Sequence, residues 1–225
     1  MAKKQQQEDG FENVESALTK TEQFIEDNQK LISFAAIALI VLIGGYWGFK
    51  KIYMEPLQQE AQQNVFHAQR YFQTDSFKLA LNGDGMNPGF LEIIDDYGAT
   101  KVGNLAEYYA GVCYLNIGDY DNAIDYLSGF STKEPLLKAT AQGATGDAYL
   151  ETGNSEKAIE WYKKATMLDN EVLTPVYLFK LGLLYEESGE NDLALEAYNK
   201  IKDNYENSFE GRQIDKYITR VKISG

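Results

Sequence analysis

A recurrence constrains this chain more than any other feature. "GDYDNAIDYL" begins at Gly118, "GNSEKAIEWY" at Gly153 and "GENDLALEAY" at Gly189, so a glycine-led segment returns after 35 and then 36 residues. Ahead of each stands a further glycine, followed three residues later by a tyrosine: Gly111 and Tyr114, Gly146 and Tyr149, Gly182 and Tyr185. Within each segment an alanine is followed four places on by a large side chain: Ala123 and Leu127, Ala158 and Tyr162, Ala194 and Tyr198. A fixed period of this length, with two helix-length halves, predicts stacked helix pairs forming a solenoid rather than one closed core.

Each recurring residue has a packing reason. A glycine inside a helix costs about 1 kcal/mol relative to alanine, so Gly111, Gly146 and Gly182 predict a neighbouring helix that leaves no room for a side chain. Ala123, Ala158 and Ala194 are expected to be the small residues of that neighbour. Gly118, Gly153 and Gly189 stand where the first helix must end, and glycine takes the left-handed conformation there without a Cβ penalty. Asp119 and Asn154 follow as candidate N-caps of the second helix.

Outside the repeats, "LISFAAIALIVLIGGYWGF", Leu31–Phe49, carries no charge. As a helix it would extend about 28 Å, against a hydrocarbon core of about 30 Å. A transmembrane helix is the reading, since a signal peptide has a shorter apolar region nearer the N-terminus and ends in small residues. Tyr46 and Trp47 suit the aromatic interface belt, and Lys50 and Lys51 can reach headgroups. Gly44 and Gly48 form a small-xxx-small face suited to close helix packing in the membrane. Lysines on either side of the span do not decide its orientation. Residues 11–30, with Phe11, Leu18, Ile25 and Ile32 seven apart, are expected to form an amphipathic helix leading into it.

After Pro56, Leu57, Ala61, Val65, Ala68 and Phe72 follow helical spacing, "NGDGMNPG" breaks the chain, and "FLEIIDDYG" reads as a short helix stopped at Gly98. The organisation predicted is a polar segment over 1–30, a transmembrane helix over 31–49, connecting helices with an imperfect first repeat over 50–103, three repeats over 104–207 and a capping helix over 208–225. The fold class is all-α.

Charge and composition exclude several activities. Residues 52–225 carry 15 Lys and Arg against 27 Asp and Glu, which is −12 of the net −13, a surface that repels phosphates and argues against nucleic acid. Cys113 and His67 are the only residues of their kinds, so neither a disulfide nor a zinc site can be assembled within one chain. Catalysis needs a positioned nucleophile and base or a carboxylate pair in a cleft. Asp95–Asp96 and Glu186–Glu187 are sequence neighbours that diverge around a helix. No catalytic residue, cofactor or metal is therefore assigned.

The recurring glycine, tyrosine, glycine and alanine resemble the tetratricopeptide repeat, and "LFKLGLLY", Leu178–Tyr185, is similar to that family's leading motif with leucine for tryptophan. Ala158, Tyr162 and Ala165 match its second helix, and Pro135 its terminal proline. Glu107 and Gln142 depart at the tryptophan position, Asn170 and Glu206 at the proline position. The resemblance implies a concave groove lined by first helices. Carried over by position, the groove residues are Leu105, Tyr108, Val112 and Leu115, then Thr140, Asp147 and Leu150 with a gap at Gly143, then Val176, Phe179, Leu183 and Glu186. A groove that grips a terminal carboxylate requires lysine and asparagine where Tyr108 and Val112 stand, and only Lys180 agrees. A bound helix or extended apolar segment is the expectation.

An acidic tail containing "FIEDNQK", one transmembrane helix and an acidic repeat domain together resemble the bacterial YfgM-type family. That resemblance implies a non-enzymatic ancillary subunit of the Sec translocon in the inner membrane, with a cytoplasmic N-terminus and a periplasmic repeat domain, working beside a membrane-anchored periplasmic chaperone. Two alternatives stay open: a holdase that binds unfolded clients itself, and a cytoplasm-facing scaffold for envelope assembly.

Overall fold

A computed structural model of the protein describes residues 24, 25 and 27–224. Two compact units divide the chain, Met1–Pro56 and Leu57–Gly225, and all regular secondary structure among the described residues is helical.

The first unit holds helix α1, Gln29–Phe49, and a π-helical stretch, Lys50–Met54. No residue of α1 is buried: Phe34, Leu42 and Trp47, on different sides of the helix, are 73 %, 71 % and 67 % exposed. A helix apolar on every face needs an apolar environment. Its length and composition suit a membrane span or a signal sequence. An added Cβ at Gly44 or Gly48 meets no atom within 4 Å, so packing inside the described residues does not require either glycine. Most of the amphipathic helix expected over residues 11–30 lies outside the described residues.

The second unit opens within α2, Glu55–Gln73, and continues through α3, Phe77–Asn82, and α4, Phe90–Tyr97. Three helix pairs follow. These are α5 and α6, Lys101–Ile117 and Tyr120–Gly129; α7 and α8, Pro135–Glu151 and Ser155–Ala165; and α9 and α10, Leu173–Glu187 and Asn191–Asn204. A 3-10 turn, Gly211–Gln213, leads into α11, Ile214–Ser224. Each pair packs internally and against the next, α6 on α7 and α8 on α9, and α11 closes the stack on α10. This is a helical solenoid.

Buried side chains gather in successive clusters along the stack. Ala61, Val65 and Ala68 of α2 share one with Leu81, Phe90, Ile93 and Ala110. Asn64 Nδ2 donates to the Tyr97 hydroxyl at 2.7 Å, and that hydroxyl donates to Glu60 at 3.1 Å, which ties α4 to α2. Ala123, Leu127 and Ala148 form a smaller cluster, and a larger one runs from Ala158 to Val221. Ile214, Ile218 and Val221 place the inner face of α11 in this last cluster, while Asp215, Lys216 and Lys222 face solvent, as a cap requires.

The recurring residues act as expected, with two differences. Gly118, Gly153 and Gly189 take φ of +81°, +77° and +74°, left-handed stops after α5, α7 and α9. Ala123, Ala158 and Ala194 are fully buried. The side chains that fill the space over the helical glycines, however, lie four residues past the alanines. A Cβ on Gly111 would lie 2.6 Å from Leu127, one on Gly146 2.6 Å from the Tyr162 ring, and one on Gly182 2.2 Å from the Tyr198 ring. Among the caps, Asn154 accepts from the Lys157 amide at 3.1 Å, whereas the Asp119 side chain makes no cap bond and accepts from Asn122 Nδ2 at 2.8 Å. Gly98, outside the recurring set, ends α4 as expected, with a helical φ of −56°.

Candidate functional site

First helices of the three pairs carry the residues assigned to the groove, and the structure distributes them among different surroundings. Tyr108, Val112 and Leu115 of α5 are half-buried against the cluster of Ala123, Leu127 and Ala148. The Tyr108 ring meets Tyr109 and Phe130 at 5.5 and 5.6 Å, and burial pushes its hydroxyl above the ordinary tyrosine range. Phe179 packs edge-on against Tyr217 of the cap at 4.7 Å. Leu150 and Leu183 are each 37 % exposed. Gly143 leaves no gap: a Cβ there would lie 2.1 Å from the Tyr177 ring, which α9 lays across it.

The two acids assigned to the groove by position have internal partners. Asp147 Oδ1 accepts from the Tyr162 hydroxyl and from Lys180 Nζ, both at 2.5 Å, and Lys180 also lies 5.4 Å from the centre of the Tyr162 ring. One pair further along, Glu186 accepts from the Tyr198 hydroxyl at 2.6 Å and from both arms of Arg220 at 2.9 and 2.5 Å. Each tyrosine is the one whose ring covers a helical glycine, and each cation comes from the next unit of the stack. Burial, with the adjacent acid contributing, pushes the Tyr162 and Tyr198 hydroxyls far up, so both stay protonated donors. Burial alone raises the Glu186 carboxyl, but the Arg220 guanidinium and the Tyr198 hydroxyl outweigh it and hold the carboxyl below its usual range. Such charge-assisted links add directional tethers to the apolar packing, Asp147–Lys180 between two helix pairs and Glu186–Arg220 between the last pair and α11. A sequence signal exists in hindsight: Asp147 to Lys180 and Glu186 to Arg220 are opposite charges nearly one repeat apart.

Leu105 and Val176 occupy the same repeat position and line similar openings. The first, about 670 Å³, lies between the α4–α5 and α6–α7 loops, with Leu105, Phe130 and Leu137 beside Lys101, Lys133 and Glu134. The second, about 600 Å³, lies between the α8–α9 and α10–α11 loops, with Val172, Val176 and Phe209 at its walls. The loops at the second are held by side chains. Asn170 Oδ1 accepts from the amides of Val172 and Leu173 at 2.9 Å, and the Tyr205 hydroxyl donates to Asp169 at 2.8 Å. Periodicity could not have shown these openings, because they form where loops two helices apart meet.

Cys113 is fully buried in the first cluster, and burial pushes its thiol up to about 12. A thiol so little ionised near neutrality is a packing residue rather than a nucleophile. His67 is half-buried beside Phe66, the rings edge-to-face at 5.6 Å. Among the described residues no group of three or more His, Cys, Asp or Glu side chains is arranged to hold a metal ion.

No curated protein matches the chain significantly. Residues 114–172, from within α5 through α8, match the tetratricopeptide repeat, and residues 177–208, from within α9 through α10, match it again. With the glycine stops, the covered helical glycines and the stacked pairs already described, these matches make the stretch from Tyr114 to Ser208 an array of tetratricopeptide repeats.

Proposed function

We propose that this chain is a membrane-anchored, non-enzymatic adaptor whose repeat unit docks protein partners. The observation that carries this reading is the array itself, a stack of helix pairs locked by Asp147–Lys180 and Glu186–Arg220 that still presents Leu105, Leu150, Val176 and Leu183 at its surface. A rigid, extended surface of this kind suits recognition and requires no catalytic group. The apolar α1 supplies the anchor. Its resemblance to the YfgM-type family supports the narrower reading: the partners are the Sec translocon and a membrane-anchored periplasmic chaperone, the membrane is the bacterial inner membrane, and the repeat unit is periplasmic.

Site-specific photocrosslinking in intact cells tests it, with the crosslinker at Leu105 or Leu183 in the repeats and at Gly44 in the span. The expected products are a chaperone captured from the repeats and a translocon subunit captured from the span. Protease added to spheroplasts should digest the repeat unit. If the unit resists until the membrane is dissolved, the periplasmic placement is wrong. Suppression of client aggregation by the purified chain alone, with no partner captured in cells, would instead favour the holdase.

A further inference from the structure

We propose that the opening over Val176 is a docking site for a basic segment of a partner that also carries an aliphatic side chain; this rests on the adaptor reading above and names the chemistry of one partner. Val172 and Phe209 flank half-buried Val176 and are 71 % and 70 % exposed, although each stands at the wall of the same cavity of about 600 Å³. That volume lies in the range of sites that enclose a side chain or small ligand. Solvent-exposed apolar groups around a concavity gain free energy when an aliphatic group replaces water there.

The rim sets the sign of the occupant. Glu171, Asp203, Glu206 and Glu210 line the opening, and no lysine or arginine does. None of the four acids is in an ion pair among the described residues. Of the nearby cations, Lys202 Nζ pairs with Asp215 at 2.7 Å, and Arg212 Nη1 donates to the Asn207 carbonyl oxygen at 3.3 Å, which leaves one positive charge beside four acids. Acidity does not follow from the position in the repeat, since the corresponding opening at Leu105 is lined by two lysines and one glutamate. An acidic or phosphate-bearing ligand is repelled at such a rim, and a cationic one is attracted and oriented. A second copy of this chain, at net −13, brings long-range repulsion, so the complement is a different, basic polypeptide. The side-chain-capped loops on both sides hold the walls before binding, which lowers the ordering cost.

Fluorescence anisotropy tests the assignment, using the full chain in detergent micelles and a labelled hexapeptide with two leucines between pairs of lysines. Saturable binding that weakens as salt rises is expected. Both Phe209→Ser and the triple change Glu171→Lys, Asp203→Lys and Glu206→Lys should weaken it by about tenfold or more, as loss of several rim contacts implies. These side chains are exposed, so an unchanged thermal midpoint is expected to show that the variants fold. Three results overturn the proposal: no binding by the unaltered chain at low salt, undiminished binding by the triple variant, or equal binding of a peptide with glutamates for its lysines or serines for its leucines. Crosslinking from Leu105 or Leu183 does not depend on this opening. Intact crosslinks without peptide binding therefore remove the cavity assignment and leave the adaptor reading standing.

Discussion

Glycine and tyrosine at the helix contacts carry much of the specificity, because each ring occupies the volume that a methyl group would need. Gly182→Ala would gain about 1 kcal/mol in helix propensity. It would also set a Cβ 2.2 Å from the Tyr198 ring, which is fully buried and tethered to Glu186. Overpacking against a ring that cannot move wins, and a net loss of about 1–3 kcal/mol is expected in urea unfolding of the full chain in detergent. Gly111→Ala should also destabilise, since the added Cβ meets Leu127 Cγ at 2.6 Å and the Leu127 amide nitrogen at 3.2 Å, and the latter contact does not change with the Leu127 rotamer. The Glu186–Arg220 link has a signature in pH. With the folded carboxyl held below its value of 4.5 in the unfolded chain, its contribution is complete above about pH 4.5 and is lost as pH falls through the folded value. Arg220→Met should therefore reduce stability by about 1–2 kcal/mol at pH 7, a figure kept small because Arg220 is half exposed. The difference from the unaltered chain should shrink in acid, measured as thermal midpoints from pH 7 to pH 3.

Among the elements, the helix stops were the most legible in sequence, because a left-handed residue has few chemical solutions. Gly153 at φ +77° has open space where a Cβ would stand, with no atom within 4 Å, so its cost on substitution is backbone strain alone. Gly153→Ala should destabilise by about 1–2 kcal/mol and Gly153→Asn by less, judged by chemical unfolding. The partners of the helical glycines were less legible. Spacing says that a small residue meets a neighbour, but the crossing of two helices decides whether the alanine or the side chain four residues later covers it. The groove shows the same limit. Asp147 and Phe179 sit at groove positions by register, yet tertiary packing turns Asp147 to Lys180 and Phe179 to Tyr217.

For the whole molecule, a stack of pairs has no closed core, so its last face must be covered. Ending the chain after Ser208 would remove Ile214, Ile218 and Val221, all buried against the final pair. At about 1.5–3 kcal/mol for each buried aliphatic, the loss rivals the total stability of a typical domain. The truncated chain should show no cooperative thermal transition by circular dichroism; an unaltered midpoint would mean that α11 is not the cap. Four of the chain's 34 acids line the Val176 opening, and no lysine or arginine lines it.

The sequence alone determined the unit of construction, because periodic glycines and alanines answer to local rules of helix length, helix stop and close approach. It also determined the apolar helix, whose composition suits no aqueous surface. Only the tertiary structure decided which groove residues were consumed in holding the stack together and where loops from separate repeats met to leave an opening. Those outcomes depend on how each element of the stack sits on the next, through apolar packing and through contacts between residues 33 and 34 positions apart that no local rule links.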